Sequence, residues 1–474
     1  MMKQETSNDP GRIGAKAYFS LCFGFIIGVG WIVAAGGWIA DAGPFGASIA
    51  FLAGGLLLLP VGLCYAELGA QYPVNGGALY YAYRAFGKNA AFFMGYILLV
   101  SFISALIYFT LSVAWIVEVI LPEIKGDALY TIRGANITLG GMMTAILATI
   151  ALGVLTYLGA TASARVQELV VALLILIVLG LSISAFIHGN PENLSPGFVS
   201  GGNSPLLGVG AVLIITPFFL SGFEAIAQSF GEKENAVTAR TIATIITISI
   251  VGAAMFYIVI ILAAAYIAPR EELISADLPI EAAFRIGLDS PSTAKLVLIA
   301  GLLGLLTSWN ACLFATARIF SVMGRAGLIW SIFAPQKGRF VSWPAVVVPS
   351  VLGLLGVVVG REMLTPILNA SSLSIGMIFF AVCACRIALR AKISEEHRIA
   401  RGFWGAFFPY LAAFTTFALA LYIVYEPLSA SEGSIPVEWI IFAVIVVLIA
   451  LGWVKFRMHL NTTTDTDFEV KIKS

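Results

Sequence analysis

Residues Cys22 to Gly37 read "CFGFIIGVGWIVAAGG". The stretch is apolar enough for a lipid bilayer, yet Gly24, Gly28, Gly30, Gly36 and Gly37 interrupt it. Glycine costs about 1 kcal/mol against alanine in a helix interior. A membrane-length segment with its poorest helix formers at its centre predicts a broken helix rather than a continuous rod.

The rest of the chain places that break in a membrane. Of 474 residues, 59% are hydrophobic and 11% charged, against about 25% charged in an ordinary soluble domain. Twelve apolar runs, near 14–40, 46–70, 90–120, 137–161, 166–188, 206–230, 238–267, 294–324, 344–359, 363–388, 404–425 and 436–456, approach the ~20 residues of a spanning helix. The expected fold class is all-α integral membrane, a single polytopic domain over residues 1–474 without a sizeable soluble part. With the N-terminus inside, 21 of the 27 Lys and Arg fall on the cytoplasmic side, and loop cations set topology. Both termini are therefore expected in the cytoplasm and the chain in the plasma (cell inner) membrane. The first run is too long for a secretory h-region, so no cleaved signal peptide is expected. Cys22, Cys64, Cys312, Cys383 and Cys385 all fall within runs and read as buried free thiols.

Several chemistries are excluded by what is missing. No G-x-x-x-x-G-K-[ST] or H-E-x-x-H occurs, so neither a phosphate cradle nor a zinc protease helix is present. His188, His397 and His459 sit in loops or the tail, which leaves no imidazole for a metal at membrane depth. Glu67, Glu168 and Glu224 are expected near cytoplasmic helix ends and Glu118 near an outer one. No convergent constellation marks an enzyme, and no cofactor is expected.

The sixth run repeats the anomaly of the first. It reads "LLGVGAVLIITPFFLSGFEAIAQSFGEKENA", Leu206 to Ala236. Pro217 removes a backbone donor and crowds the preceding turn, so a break is predicted there. Two interrupted spans five helices apart point to a transporter site on an inverted repeat. Unpaired backbone groups survive in a bilayer only where they line a cavity. If the chain unwinds over Ile27, Gly28, Val29 and Gly30, the free amides at a half-helix N-terminus suit a carboxylate. Freed carbonyls around Phe218 to Ser221 suit an ammonium group. A zwitterion fits between them.

Four stretches now carry a family resemblance: "GFIIGVGWI"; "YAELGAQYPVNGGALYYAYRAFG", Tyr65 to Gly87; "FFLSGFEAIAQSFGEKENA", Phe218 to Ala236; and "TSWNACLFATARIFSVMGRAG", Thr307 to Gly327. In this order they resemble the amino acid–polyamine–organocation superfamily of secondary transporters. The resemblance implies a five-plus-five inverted repeat followed by two C-terminal helices: helices 1–4 in residues 1–160, helices 5–10 in 161–388, and helices 11–12 with a cytoplasmic tail in 389–474. It implies a carboxylate site on Gly28, Val29 and Gly30, an outer aromatic gate at Phe218, and amine-binding carbonyls around Phe219, Ser221 and Gly222. Many proton-coupled relatives carry a lysine in helix five where this chain has Leu174. Thr307 and Ser308 place two hydroxyls where sodium-coupled proteins of the same fold hold Na+, and oxygen ligands suit a hard cation. Na+, H+ and uncoupled exchange all remain open, with Na+ slightly favoured. Glu224 is expected as an inner gate.

The substrate reading follows from charge. The pocket is expected to hold no acidic or basic side chain, with Ser101, Ser104 and Tyr108 as neutral polar candidates, so a small neutral amino acid is favoured. An amine, such as ethanolamine or a polyamine, and a non-transporting nutrient receptor are the alternatives. A channel would want a continuous polar lining. The expected partners are the lipid bilayer and a small molecule, with no nucleic acid; the oligomeric state is left open.

Overall fold

Hydrocarbon offers no water to backbone amides and carbonyls, so apolar runs satisfy them internally as helices. The computed structural model describes residues 12–132, 135–199, 204–336, 339–360, 363–430 and 436–473. Among these, ten helices are long and apolar enough to cross a membrane. Four of the cations used for orientation, Lys3, Arg133, Lys337 and Arg361, lie outside the described residues.

The helices in chain order are α1 (Ala15–Ile26), α2 (Gly30–Gln71), α3 (Gly77–Phe86), α4 (Lys88–Ile120), α5 (Leu139–Leu158), α6 (Ala160–His188), α7 (Pro205–Phe219), α8 (Ala239–Ile267), α9 (Arg270–Ser275), α10 (Pro279–Gly287), α11 (Pro291–Ala326), α12 (Trp343–Gly353), α13 (Leu355–Val359), α14 (Leu364–Ala388), α15 (Gly402–Ala430), α16 (Val437–Thr462) and α17 (Asp465–Lys473). An antiparallel hairpin of β1 (Ala128–Ile132) and β2 (Ala135–Thr138) joins α4 to α5, with Thr131 opposite Asn136. Helix starts follow their sequence: Ser204, Ser290 and Ser342 each accept a hydrogen bond from a first-turn amide, with proline inside that turn. Such caps satisfy donors that the helix itself leaves unpaired.

The difference between ten long helices and twelve expected runs has a local cause. The first run is divided between α1 and the start of α2, and α2 continues through the second run. Gly43 (φ 73, ψ 167) folds α2 into two arms. A Cβ there would lie 2.7 Å from the Gly197 carbonyl oxygen, so only glycine fits the turn. The ninth run forms the shorter pair α12–α13.

α2 packs along α7 and α8, α11 lies against α4 and α6, and α14 packs on α4 and α15. α11 carries the densest buried polar set, including Thr307, Ser308, Asn310, Thr316 and Arg318. All five cysteines are free and buried, as their apolar settings lead one to expect.

Both described ends of the chain meet at one face, here the terminal face. The Ile13 amide donates to the Glu232 carbonyl (2.8 Å). α17 sits on α3, with Phe468 and Ile472 buried and the Phe468 ring 5.0 Å from Tyr83. Phe468 and Ile472 stand four residues apart, one apolar face of a short helix, where the sequence reading saw only a tail. Tyr80 and Arg84 donate to Glu469 Oε1 at 2.9 and 3.0 Å. A hydrogen bond from Lys473, with further help from Tyr80 and Arg84, holds the Glu469 carboxyl below its ordinary range. The 33 residues of α4 then carry the chain about 50 Å to the hairpin at the opposite face.

Candidate functional site

α1 ends at Ile26 and α2 begins at Gly30, so the break falls where the glycines predict it. The Gly28 amide turns back to the Ile26 carbonyl (3.1 Å), and the Val29 carbonyl accepts from Ile32 (3.0 Å). Among the described residues the amides of Val29 and Gly30 donate to no backbone carbonyl. They open α2, where a helix carries partial positive charge. On the other side of the break, the last carbonyls of α1 are taken by α11. Thr307 Oγ1 donates to Gly24 O (3.0 Å) and to its own Gly304 O (2.8 Å). Ser308 Oγ donates to Gly24 O (3.1 Å) and Phe25 O (2.9 Å).

The second break lies three to five residues beyond the expected one. α7 runs through Pro217 to Phe219, and the chain then turns at Leu220, Ser221 and Gly222 into a 3-10 segment, Phe223–Gln228. Gly222 supplies the turn: its φ is 128, and a Cβ would lie 3.0 Å from the Ile26 nitrogen. Proline removes one hydrogen bond but does not end the helix; the left-handed glycine does. The Phe218 carbonyl is occupied by Ser221, whose Oγ donates to it at 2.7 Å. The carbonyls of Phe219, Leu220 and Ser221 accept no backbone hydrogen bond among the described residues.

The two breaks enclose one cavity. Gly28, Val29, Gly30, Phe218, Phe219, Ser221, Glu224 and Ser308 all line it, together with Ser101, Tyr108, Tyr257 and Ser371. Ile27, Gly222 and Thr307 stand behind the lining, and Ser104 is not part of it. The space open to the centre of a water molecule is about 70 Å³, enough for about five waters. That matches the non-hydrogen atoms of a small amino acid. The Phe219 ring lies on Gly30, where a Cβ would approach Cε1 to 2.4 Å, whereas a Cβ on Gly28 would meet only Ser308 Oγ at 3.4 Å.

One expectation about the pocket does not hold. It was to contain no acidic or basic side chain, yet Glu224 lines it. Two residues after Gly222, the Glu224 side chain folds back and Oε2 accepts from the Gly222 amide (2.8 Å). Its side chain is buried and has no cationic partner among the described residues. The 3-10 path beyond Gly222 is what brings it inward.

Phe218 and Phe219, with Leu368 and Ile375, also line a second cavity toward the hairpin face, together with Ala34, Trp38 and Asp41. Phe218 therefore stands between the inner cavity and a vestibule toward the hairpin face. The opposite exit is closed at the terminal face. Arg318 binds Glu232 through two hydrogen bonds of 2.6 Å, Asn75 reaches Glu232 Oε1 (3.1 Å), and Tyr18 donates to the Ser229 carbonyl (2.8 Å). Arg386 pairs with Glu67, which also accepts from the Ile399 and Ala400 amides.

The sequence reading missed Gln167. Its Nε2 donates to Ser20 O (3.2 Å) and Thr307 O (3.1 Å), and its Oε1 accepts from Asn310, which in turn accepts from Ser163. This network ties α1, α6 and α11 directly behind the first break. The available signal was a carboxamide beside Glu168 at the start of a run that is apolar from Leu169 to Gly180. Leu174 is fully buried in the same helix, and its Cδ2 lies near Gly304, which passes the Ile27 and Gly28 carbonyls.

Comparison with known proteins fits this geometry. The profile described as "Amino acid permease" matches residues 13–454. The chain is 31% identical over 331 residues to cationic amino acid transporter 9, chloroplastic, of Arabidopsis thaliana, covering 68% of this chain and 57% of that protein. It is 26% identical over 395 residues to the branched-chain amino acid permease BcaP of Bacillus subtilis, covering 80% and 81%. It is 24% identical over 324 residues to the methylthioribose transporter of the same bacterium, covering 68% of each. The chain thus spans little more than half of the plant relative. The match across both breaks and nearly the whole length establishes that the chain belongs to the amino acid permease family, within the amino acid–polyamine–organocation superfamily, and is a membrane transporter rather than an enzyme.

Proposed function

We propose that this chain is a secondary active transporter that moves a small neutral amino acid across the plasma membrane by alternating access. The observation that carries the reading is the pair of unpaired amides, Val29 and Gly30, opening into a cavity of about five waters. They take the substrate carboxylate, and the free carbonyls after Phe219 take its ammonium group. Phe218 is the outer gate and Glu224 the inner one. The proposed topology has twelve crossings, counting α1 with the first arm of α2 as one and α12–α13 as another. Helices 1–5 and 6–10 form the inverted repeat. The terminal face is the cytoplasmic side, so both termini lie there.

Na+ is the coupling ion we test first. Thr307, Ser308 and the carbonyls of Gly24 and Phe25 are hard oxygen ligands in one place. Both hydroxyls now donate to those carbonyls, so a cation enters only if they rotate to present lone pairs.

A second reading, an amine or cationic amino acid, is favoured by Glu224. A buried carboxylate without a countercharge is costly, and an ammonium group or a proton offsets that cost. The plant relative is named for cationic amino acids and BcaP for branched-chain ones.

Thermal stability of the purified protein, measured against amino acids and amines in sodium and in choline buffer, separates these readings. A ligand at 100 times its Kd stabilises by about 2.7 kcal/mol. Neutral amino acids are expected to stabilise, and more in sodium. Stabilisation independent of sodium removes the ion site. Stabilisation by amines alone replaces the first reading with the second. Binding without uptake into vesicles marks a receptor.

A further inference from the structure

The vestibule outside Phe218 holds chemistry that the inner site does not use. It is lined mainly by apolar and aromatic groups from α2, α7, α14 and α15, including Trp38, Phe218 and Tyr422. Asp41 is the only Asp, Glu, Lys or Arg among its described lining residues. The Asp41 side chain has no hydrogen-bond or ion-pair partner among the described residues. Arg270 Nη2 donates to the carbonyl of the preceding residue, Ala40 (3.0 Å), and Arg270 does not line the vestibule. Asn369 and Ser372 add neutral polar groups on the facing helix.

Helical spacing fixes how this carboxylate relates to the inner amides. Gly30, Ala34, Trp38 and Asp41 fall at i, i+4, i+8 and i+11, one stripe of the first arm of α2. Gly30 opens into the inner cavity, and the other three face the vestibule. Eleven residues at 1.5 Å each separate the two ends by roughly 16 Å. The ammonium and carboxylate of one amino acid lie only about one residue's length apart. A molecule held at Asp41 therefore cannot also reach the Gly30 amide; the two are separate stations on one path, with Phe218 and Phe219 between them.

We propose that the vestibule is an outer binding station for primary ammonium groups, in which the Asp41 carboxylate receives the amino end of an incoming amino acid or amine before the Phe218 gate. This rests on the transport reading above and adds a selectivity step to it. A single negative charge in a cleft with apolar walls raises the local concentration of cations and lowers that of anions. Zwitterions and amines are drawn in by the amino end, and substrates of net negative charge are disfavoured at the entrance. Because the station precedes the gate, it acts on capture and not on the crossing itself.

The test uses full-length wild type, Asp41→Asn and Asp41→Glu in proteoliposomes, with uptake of labelled L-alanine or L-leucine and with propylammonium chloride as an external competitor well above the substrate KM. Loss of this charge is expected to raise KM about five- to tenfold while kcat stays within about twofold. Asp41→Glu is expected to restore the wild-type KM. Propylammonium is expected to inhibit wild type more strongly than Asp41→Asn, and more strongly than propionate inhibits wild type. The wild-type comparison keeps the proposal testable if Asp41→Asn fails to fold: equal inhibition by propylammonium and propionate overturns it. Normal uptake with the same KM and the same propylammonium inhibition in Asp41→Asn overturns the station and leaves the transport reading intact. No amino acid uptake by wild type removes both.

Discussion

Gly28 and Gly30 sit two residues apart in the same break, and their surroundings give them different roles. A methyl group on Gly30 would fall inside contact distance of the Phe219 ring. Overpacking of this kind costs about 1–3 kcal/mol, and relief by ring movement would fill the cavity. Gly30→Ala is therefore expected to lower thermal stability and abolish ligand-induced stabilisation. Gly28→Ala, whose methyl meets only Ser308 Oγ at ordinary distance, is expected to melt within a few degrees of wild type. Matched melting curves and matched ligand responses for the two variants would contradict the placement of Phe219 over Gly30. Glu224 makes a separate prediction. Its carboxylate holds the Gly222 amide at the turn, so Glu224→Gln is expected to slow transport much more than it weakens binding. Uptake rate and binding affinity measured on one preparation decide this; equal losses in both would sink the gate role.

At the scale of elements, the first break was legible because glycine is costly inside a helix and five of them cluster in one run. The position of the second break was not. Proline was weighted above glycine, but α7 carries Pro217 and ends only where Gly222 takes a left-handed φ. Glu224 was consequently placed below the pocket rather than in its lining. Gln167 was missed because its role depends on α1, α6 and α11 meeting, which no local pattern encodes. α17 was hidden for a related reason: nine residues with three apolar side chains, two of them buried, cannot form a stable helix alone and require the tyrosines of α3. Phe468 is fully buried, and Phe468→Ala is expected to undock α17, at a cost of about 3–5 kcal/mol to that contact, read as new protease sensitivity after Thr462. Glu469 adds a pH dependence. Its folded-state pKa is depressed, so its contribution is present above the ordinary carboxylate pKa and is lost as pH falls through the lower folded value. The Tm difference between wild type and Glu469→Gln should be full at pH 7, begin to shrink as pH falls past the ordinary carboxylate pKa of about 4, and be gone once the pH lies below the lower folded-state value. A difference that persists there would contradict the pairing.

Across the whole molecule, the inner cavity has an aromatic partition toward one face and layered ion pairs toward the other. Phe218 and Phe219 separate it from the vestibule. Glu232–Arg318 and Glu67–Arg386 close the terminal face with buried charges. Breaking a buried pair by removing one partner is costly, yet separating both partners into water returns their hydration. Under the alternating-access reading proposed above, ion pairs suit a closure that opens to solvent and rings suit one that slides over a substrate. Membrane insertion and family were readable from the sequence, since composition and motif order alone carry them. The closure was only partly readable, because Arg318 and Glu232 meet across 86 residues of chain.

The central claim is that the Val29 and Gly30 amides hold the carboxylate of a transported amino acid. It is tested most directly by uptake of labelled L-alanine into proteoliposomes, with L-alanine and L-alaninamide as competitors. The two differ only in the group that faces those amides. Saturable uptake is predicted, with alaninamide competing at least about tenfold more weakly, the factor for a difference of about 1.4 kcal/mol. Equal competition by the amide would contradict the claim.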